Sequence, residues 1–114
     1  MVEEEITDEY MKRALDNAVR FTVVVLRSTP RRFEAGADKI VWEHGRRLFQ
    51  LRKEGKLCVV CPVIESGDIS GFCIFSAGKE ETREIMNADP AVMAGIFEIG
   101  LYATSSFPGD SLHA

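Results

Sequence analysis

The chain is expected to fold as one α+β domain, a four-stranded antiparallel sheet in βαββαβ order with both helices on one face. Three observations lead there. Short β-branched runs alternate with two internal segments whose apolar residues recur at helical spacing. Glycine and proline punctuation falls between them. With 114 residues, the chain has the length of one domain and can bury roughly 65% of its unfolded surface.

Residues 8–19 read as a helix lying outside that pattern. Thr7 can cap it, Ile6 and Met11 fit a hydrophobic staple, and Met11, Leu15, Ala18 and Val19 form its apolar stripe. Phe21 to Leu26 is β-branched and nearly all apolar, as expected of a central strand covered on both faces. Residues 28–37 form a loop punctuated by Pro30 and Gly36. Asp38 can cap a helix running to Glu54 and ending at Gly55. Leu57–Ile64 and Ile69–Ala77 are strands joined by a turn over Glu65-Ser66-Gly67-Asp68. Lys79–Ala88 is a short helix, Asp89-Pro90 opens a turn or short helix through Ala94, and Ile96–Ala103 is the last strand. The expected organisation is a single domain over 1–114: an N-terminal helical extension (1–19), a core (20–103) and a polar tail (104–114).

Both faces of the central strands lack polar residues, with Val23, Val25, Phe72 and Ile74 among them. Helices can cover only one face, and an apolar sheet face of this size should not stay in water. The expectation is a homodimer whose open faces pack into a barrel-like sandwich.

Composition narrows the function classes. Apolar residues make up 46% and charged residues 28%, which suits a folded globular chain rather than a disordered one. A net charge of −4 argues against a nucleic-acid binder. No apolar run approaches the ~18–20 residues of a membrane helix, and Met-Val followed by three glutamates is unlike a signal peptide. A cytoplasmic protein is expected, without nucleic-acid or membrane partners. Charge is uneven: residues 20–56 hold ten bases against Glu34, Asp38, Glu43 and Glu54. That is either a solvated face or a cationic rim that attracts an anionic small molecule.

His44 is one of two histidines. It shares a helix face with Ile40, Leu48 and Leu51, the side expected to pack on the sheet. An imidazole exchanges protons near neutral pH, so one turned inward is a candidate acid/base group. A half-buried histidine satisfied by a backbone carbonyl is the bland alternative. Gly45 beside it costs the helix about 1 kcal/mol relative to alanine and leaves room for close packing or a cavity. Asp89 before Pro90 has the form of a helix cap. It can also accept a ring N–H from His44, because a carboxylate has two oxygens.

Cys58-Val59-Val60-Cys61 sits within a strand, where positions three apart lie about 10 Å apart on opposite faces. Neither a disulfide nor a four-ligand zinc site fits, and the thiols read as structural. Trp42 and Phe49 read as packing, Arg46-Arg47 and Arg31-Arg32 as solvated side chains able to clamp a carboxylate, and Phe107 as a cover for the dimer or a pocket mouth. There is no phosphate-binding glycine loop and no Gly-x-Ser-x-Gly elbow.

One ordered set of residues has a wider resemblance. His44, Leu48, Leu51-Arg52-Lys53-Glu54-Gly55-Lys56-Leu57, Pro62, Gly71, Lys79-Glu80-Glu81 and Asp89-Pro90-Ala91-Val92-Met93-Ala94-Gly95 follow one another in that order. The series resembles the YCII-related family over about residues 20–103. The resemblance implies a ferredoxin-like α+β unit that dimerises as a dimeric α+β barrel of the muconolactone isomerase type. It also implies a His–Asp pair suspected of enzymatic work, here His44 and Asp89. The chain departs from the family at Cys61-Pro62, where Gly-Pro is usual, which would alter a pocket there.

The expected function is a small-molecule enzyme, or a remnant of one, performing lyase- or isomerase-type proton transfer. His44 would act as acid or base and Asp89 would orient it. Arg47 and Ser28 are candidate substrate-binding residues, the ligand being anionic or aromatic. No metal or organic cofactor is required. The alternative is a non-catalytic dimeric module that binds a small ligand or a protein; haem binding through His44 ranks last.

Overall fold

Two split β-α-β crossovers interleave in the computed structural model, which describes residues 5–113. Helix α1 (Asp8–Asp16) precedes strand β1 (Val19–Ser28), and a 3-10 turn at Pro30–Phe33 leads into α2 (Ala37–Lys53). There follow β2 (Leu57–Pro62), β3 (Ile69–Phe75), α3 (Lys79–Asn87), the one-turn α4 (Pro90–Met93) and β4 (Phe97–Ser106). The spatial order is β2-β3-β1-β4, antiparallel throughout. This is a ferredoxin-like α+β fold, and β1 is central as its apolar run implies.

Register decides which side chains meet. Val24 lies opposite Cys73 on β3 and Leu101 on β4, and Val60 of β2 lies opposite Cys73 on its other side. Because side chains alternate along a strand, Thr22, Val24, Leu26, Cys73 and Phe75 all face the helices and are buried. From α2 come Ala37, Leu48 and Leu51, from β2 Leu57, and from the α3–β4 region Met86, Ala91, Ile96 and Phe97 complete the core. Gly55 ends α2 at φ 85, with the Lys56 N–H bonded back to the Leu51 carbonyl at 3.2 Å.

The opposite sheet face is only partly covered. Val23 and Val25 are half-buried, while Phe72 and Tyr102 are 41% and 56% exposed. The expected cover on both faces of β1 is thus absent among the described residues.

Several local expectations are corrected. Helix α1 stops at Asp16, not at residue 19, because Asn17 bonds the Arg13 carbonyl (2.9 Å) and Val19 joins the ladder opposite Ser106. Thr7 does cap this helix, accepting from the Tyr10 N–H at 3.1 Å, but no residue of α1 is buried. Asp38 does not cap α2: Gly36 occupies that position at φ 86, and the Asp38 carboxylate instead pairs with Arg32 at 2.7 Å. Strand β4 runs on to Ser106, since pairing with the start of β1 continues three residues beyond Ala103.

Candidate active site

Helix α2 carries His44 on its inner face, between Ala37 and Leu48, and its side chain is 8% exposed. Asp89 stands at the junction of α3 and α4, where proline at the first helical position makes a sharp restart. It is fully buried. The crossover brings these two residues, 45 apart in sequence, to an Nδ1–Oδ2 distance of 2.8 Å. The same Oδ2 accepts the N–H groups of Ala91 (3.0 Å) and Val92 (3.3 Å). One oxygen therefore both caps α4 and holds the ring, where the sequence had suggested one oxygen for each task.

That leaves Asp89 Oδ1 buried without a hydrogen bond. Arg47 Nη1 lies 3.6 Å away, too long for a good hydrogen bond but close enough to offset charge. The other arm of the guanidinium, Nη2, donates to the Ile85 carbonyl at 2.7 Å. Ile85 belongs to the last turn of α3, whose carbonyls have no helical partner. Arg47 thus ties α2 to the end of α3 and supports Asp89 from behind.

An ionised Asp89 accepts, so Nδ1 carries the hydrogen and the Cε1–Nε2–Cδ2 edge is left for the other side of the ring. The ring also meets Phe97 edge-on, centroids 5.0 Å apart at 60°. A cavity of about 210 Å³ opens beside His44 between α2 and the β2–β3 end of the sheet. Leu26, Leu48, Cys73 and Phe97 form its base, with Cys61, Pro62 and Gly71 at the strand ends. A Cβ at Gly71 would lie 2.9 Å from the Cys61 carbonyl oxygen, so glycine there permits the close β2–β3 approach.

Neither Arg47 nor Ser28 lines this cavity. Ser28 ends β1 opposite Phe97, its N–H bonded to the Asp68 carbonyl at 2.7 Å. Two other arginines near α2 are engaged in ion pairs, Arg32 with Asp38 and Arg46 with Glu43. Phe107 lies elsewhere, beside Phe21, Cys58 and Ile74 on the open side of the sheet. Trp42 and Phe49 are not packed as expected; they are 71% and 57% exposed, although Phe49 also borders the cavity.

Cys73 is buried, Cys61 half-buried and Cys58 exposed, with no disulfide among them. Burial, helped by the neighbouring Cys61 and Asp89, pushes the Cys73 thiol up to about 12. It is therefore a protonated wall of the cavity. Among the described residues, no three His, Cys, Asp or Glu side chains are grouped to hold a metal ion, and no helix is long and apolar enough to cross a membrane. The contribution of Cys61 and Cys73 was not readable from sequence, because it depends on the β2–β3 register; a glycine inside a strand at 71 was the one available signal.

No family model matches the chain, and no curated protein matches it. Among solved structures it is similar to 5-chloro-2-hydroxyhydroquinone dehydrochlorinase from Burkholderia phenoliruptrix AC1100, in complex with 2,5-dihydroxybenzoquinone. The two are 22% identical with a TM-score of 0.56, covering 72% of this chain and 90% of the other. At that identity the likeness is one of fold alone, and it agrees with the ferredoxin-like α+β arrangement described above.

Proposed function

We propose that the protein is a small-molecule enzyme in which His44 transfers a proton and Asp89 fixes its tautomer and orientation. A single observation carries this reading: the buried 2.8 Å Nδ1–Oδ2 contact, set against a cavity that His44 itself lines. A histidine held at one nitrogen and open at the other can take a proton from a ligand and return it to another atom, the essence of an isomerase or lyase step. The solved neighbour of this fold holds a small six-membered ring compound, which agrees with a cavity of this size. The YCII resemblance over residues 20–103 agrees with the same pair.

The test is solvent exchange. In D₂O, a panel of enolisable ketones and hydroxylated rings is followed by NMR for deuterium uptake. Wild type should label at least one compound, with the rate falling 10²-fold or more in His44→Ala, as expected for loss of a general acid/base. Equal labelling by His44→Ala sinks the proposal.

We further propose that the chain is a single domain and acts as a homodimer. The half-exposed face of Val23, Val25, Phe72 and Tyr102 supports this, because helices occupy only the other side.

A further inference from the structure

Gly45 has no evident structural reason to be glycine. It sits inside α2 with ordinary helical backbone, and a Cβ added there would meet nothing within 4 Å. Close packing is thereby ruled out as its purpose. Yet the residue is half-buried and lines two hollows at once. One is the His44 cavity; the other is an outer groove of about 500 Å³ bounded by Trp42, Arg46 and Arg32. Val41, Gly45 and Phe49 border both. These three recur every four residues, a single strip along α2 next to the strip that holds His44.

We propose that Gly45 is the threshold across which a small, uncharged, ring-sized molecule passes from the outer groove to His44. This rests on the reading of His44 as the reacting group and adds the chemical class of its ligand. Among the described residues that line the inner cavity, none is Asp, Glu, Lys or Arg. Its one group able to carry positive charge, His44, already faces the Asp89 carboxylate. A carboxylate ligand would lose its water there and gain no unpaired cation, which is strongly unfavourable. An apolar cavity of about 150 Å³ admits benzene, so about 210 Å³ accommodates one substituted ring. Of the arginines that suggested an anionic ligand, Arg32 and Arg46 border the outer groove and none lines the cavity.

The experiment uses two probes matched in ring and length, 4-hydroxybenzyl alcohol and 4-hydroxybenzoate, titrated into the full chain. Binding is read from the His44 ring signals by NMR, and folding from thermal melts. Wild type should bind the alcohol saturably and the carboxylate at least tenfold more weakly. Gly45→Ala should weaken the alcohol several-fold and Gly45→Leu by thirtyfold or more. Both variants should melt at or above the wild-type temperature, since alanine and leucine both have higher helix propensity than glycine in a helix interior. If Gly45→Leu melts lower, Gly45→Ala decides. Full-strength binding by the deciding variant overturns the threshold. Equal binding of the two probes, or none of the alcohol to wild type, overturns the uncharged ligand. Neither failure touches the exchange test with His44→Ala, so the two readings fall separately.

Discussion

Asp89 Oδ2 stands 2.8 Å from His44 Nδ1 and within 3.3 Å of two backbone N–H groups of α4. A fold-stabilising cap and a ring-orienting contact converge on one atom. Substitutions of Asp89 should therefore disturb stability and chemistry together. Asp89→Ala leaves two N–H groups and a buried imidazole without an acceptor, and should cost about 3–5 kcal/mol. Asp89→Asn keeps a capping oxygen and should cost about 1–2 kcal/mol, while abolishing the anion that sets the His44 tautomer. Urea melts check the first; the exchange rate of the folded Asp89→Asn variant, expected to fall well below wild type, checks the second.

Arg47 supports the pair without touching the cavity. Arg47→Met should cost about 1–3 kcal/mol through the orphaned Ile85 carbonyl and the unbalanced Asp89 charge, with Arg47→Lys recovering part of it. A double-mutant cycle separates the two contributions. If charge balance matters, Arg47→Met should cost less in an Asp89→Asn background. Strict additivity would assign Arg47 to the α3 carbonyl alone.

The three thiols should differ sharply. Iodoacetamide near neutral pH should label exposed Cys58 first and leave Cys73 unlabelled until the protein unfolds, as intact mass spectrometry will show. Stability should follow the same asymmetry. The unfolded Cys73 thiol ionises around its ordinary 9.0, whereas the folded one keeps its proton to about 12. Its contribution is thus complete below pH 9 and declines as the pH rises from about 9 toward about 12. Cys73→Ala should flatten that slope in urea melts, although below pH 9 it lowers stability by opening space in the core.

The half-exposed sheet face should associate. Phe72→Glu and Tyr102→Glu each place a charge where two such faces would meet. Sedimentation should show a wild-type dimer and monomeric variants that keep their far-UV circular dichroism. A monomeric wild type at 100 µM would refute the pairing.

Much of this was legible in the order of residues. The βαββαβ sequence, the central place of β1, the inward face of His44 and the cap at Asp89-Pro90 all follow from local periodicity and punctuation, which act over a few residues. Boundaries were less readable, because strand ends are set by partners: Val19 left its helix to pair with Ser106, and β4 outran its apolar run for the same reason. Asp38 looked like a cap but found Arg32, a contact no spacing rule contains.

The sequence alone determined that an imidazole would face the sheet and that a carboxylate would begin a helix 45 residues later. Only the tertiary structure decided that one oxygen serves both ring and cap, that Arg47 turns inward to the α3 carbonyl, and that Gly45 opens on empty space. Helical and strand periods are local properties of the chain, whereas a cavity and its lining arise from register and crossover geometry, which exist only once distant segments have packed.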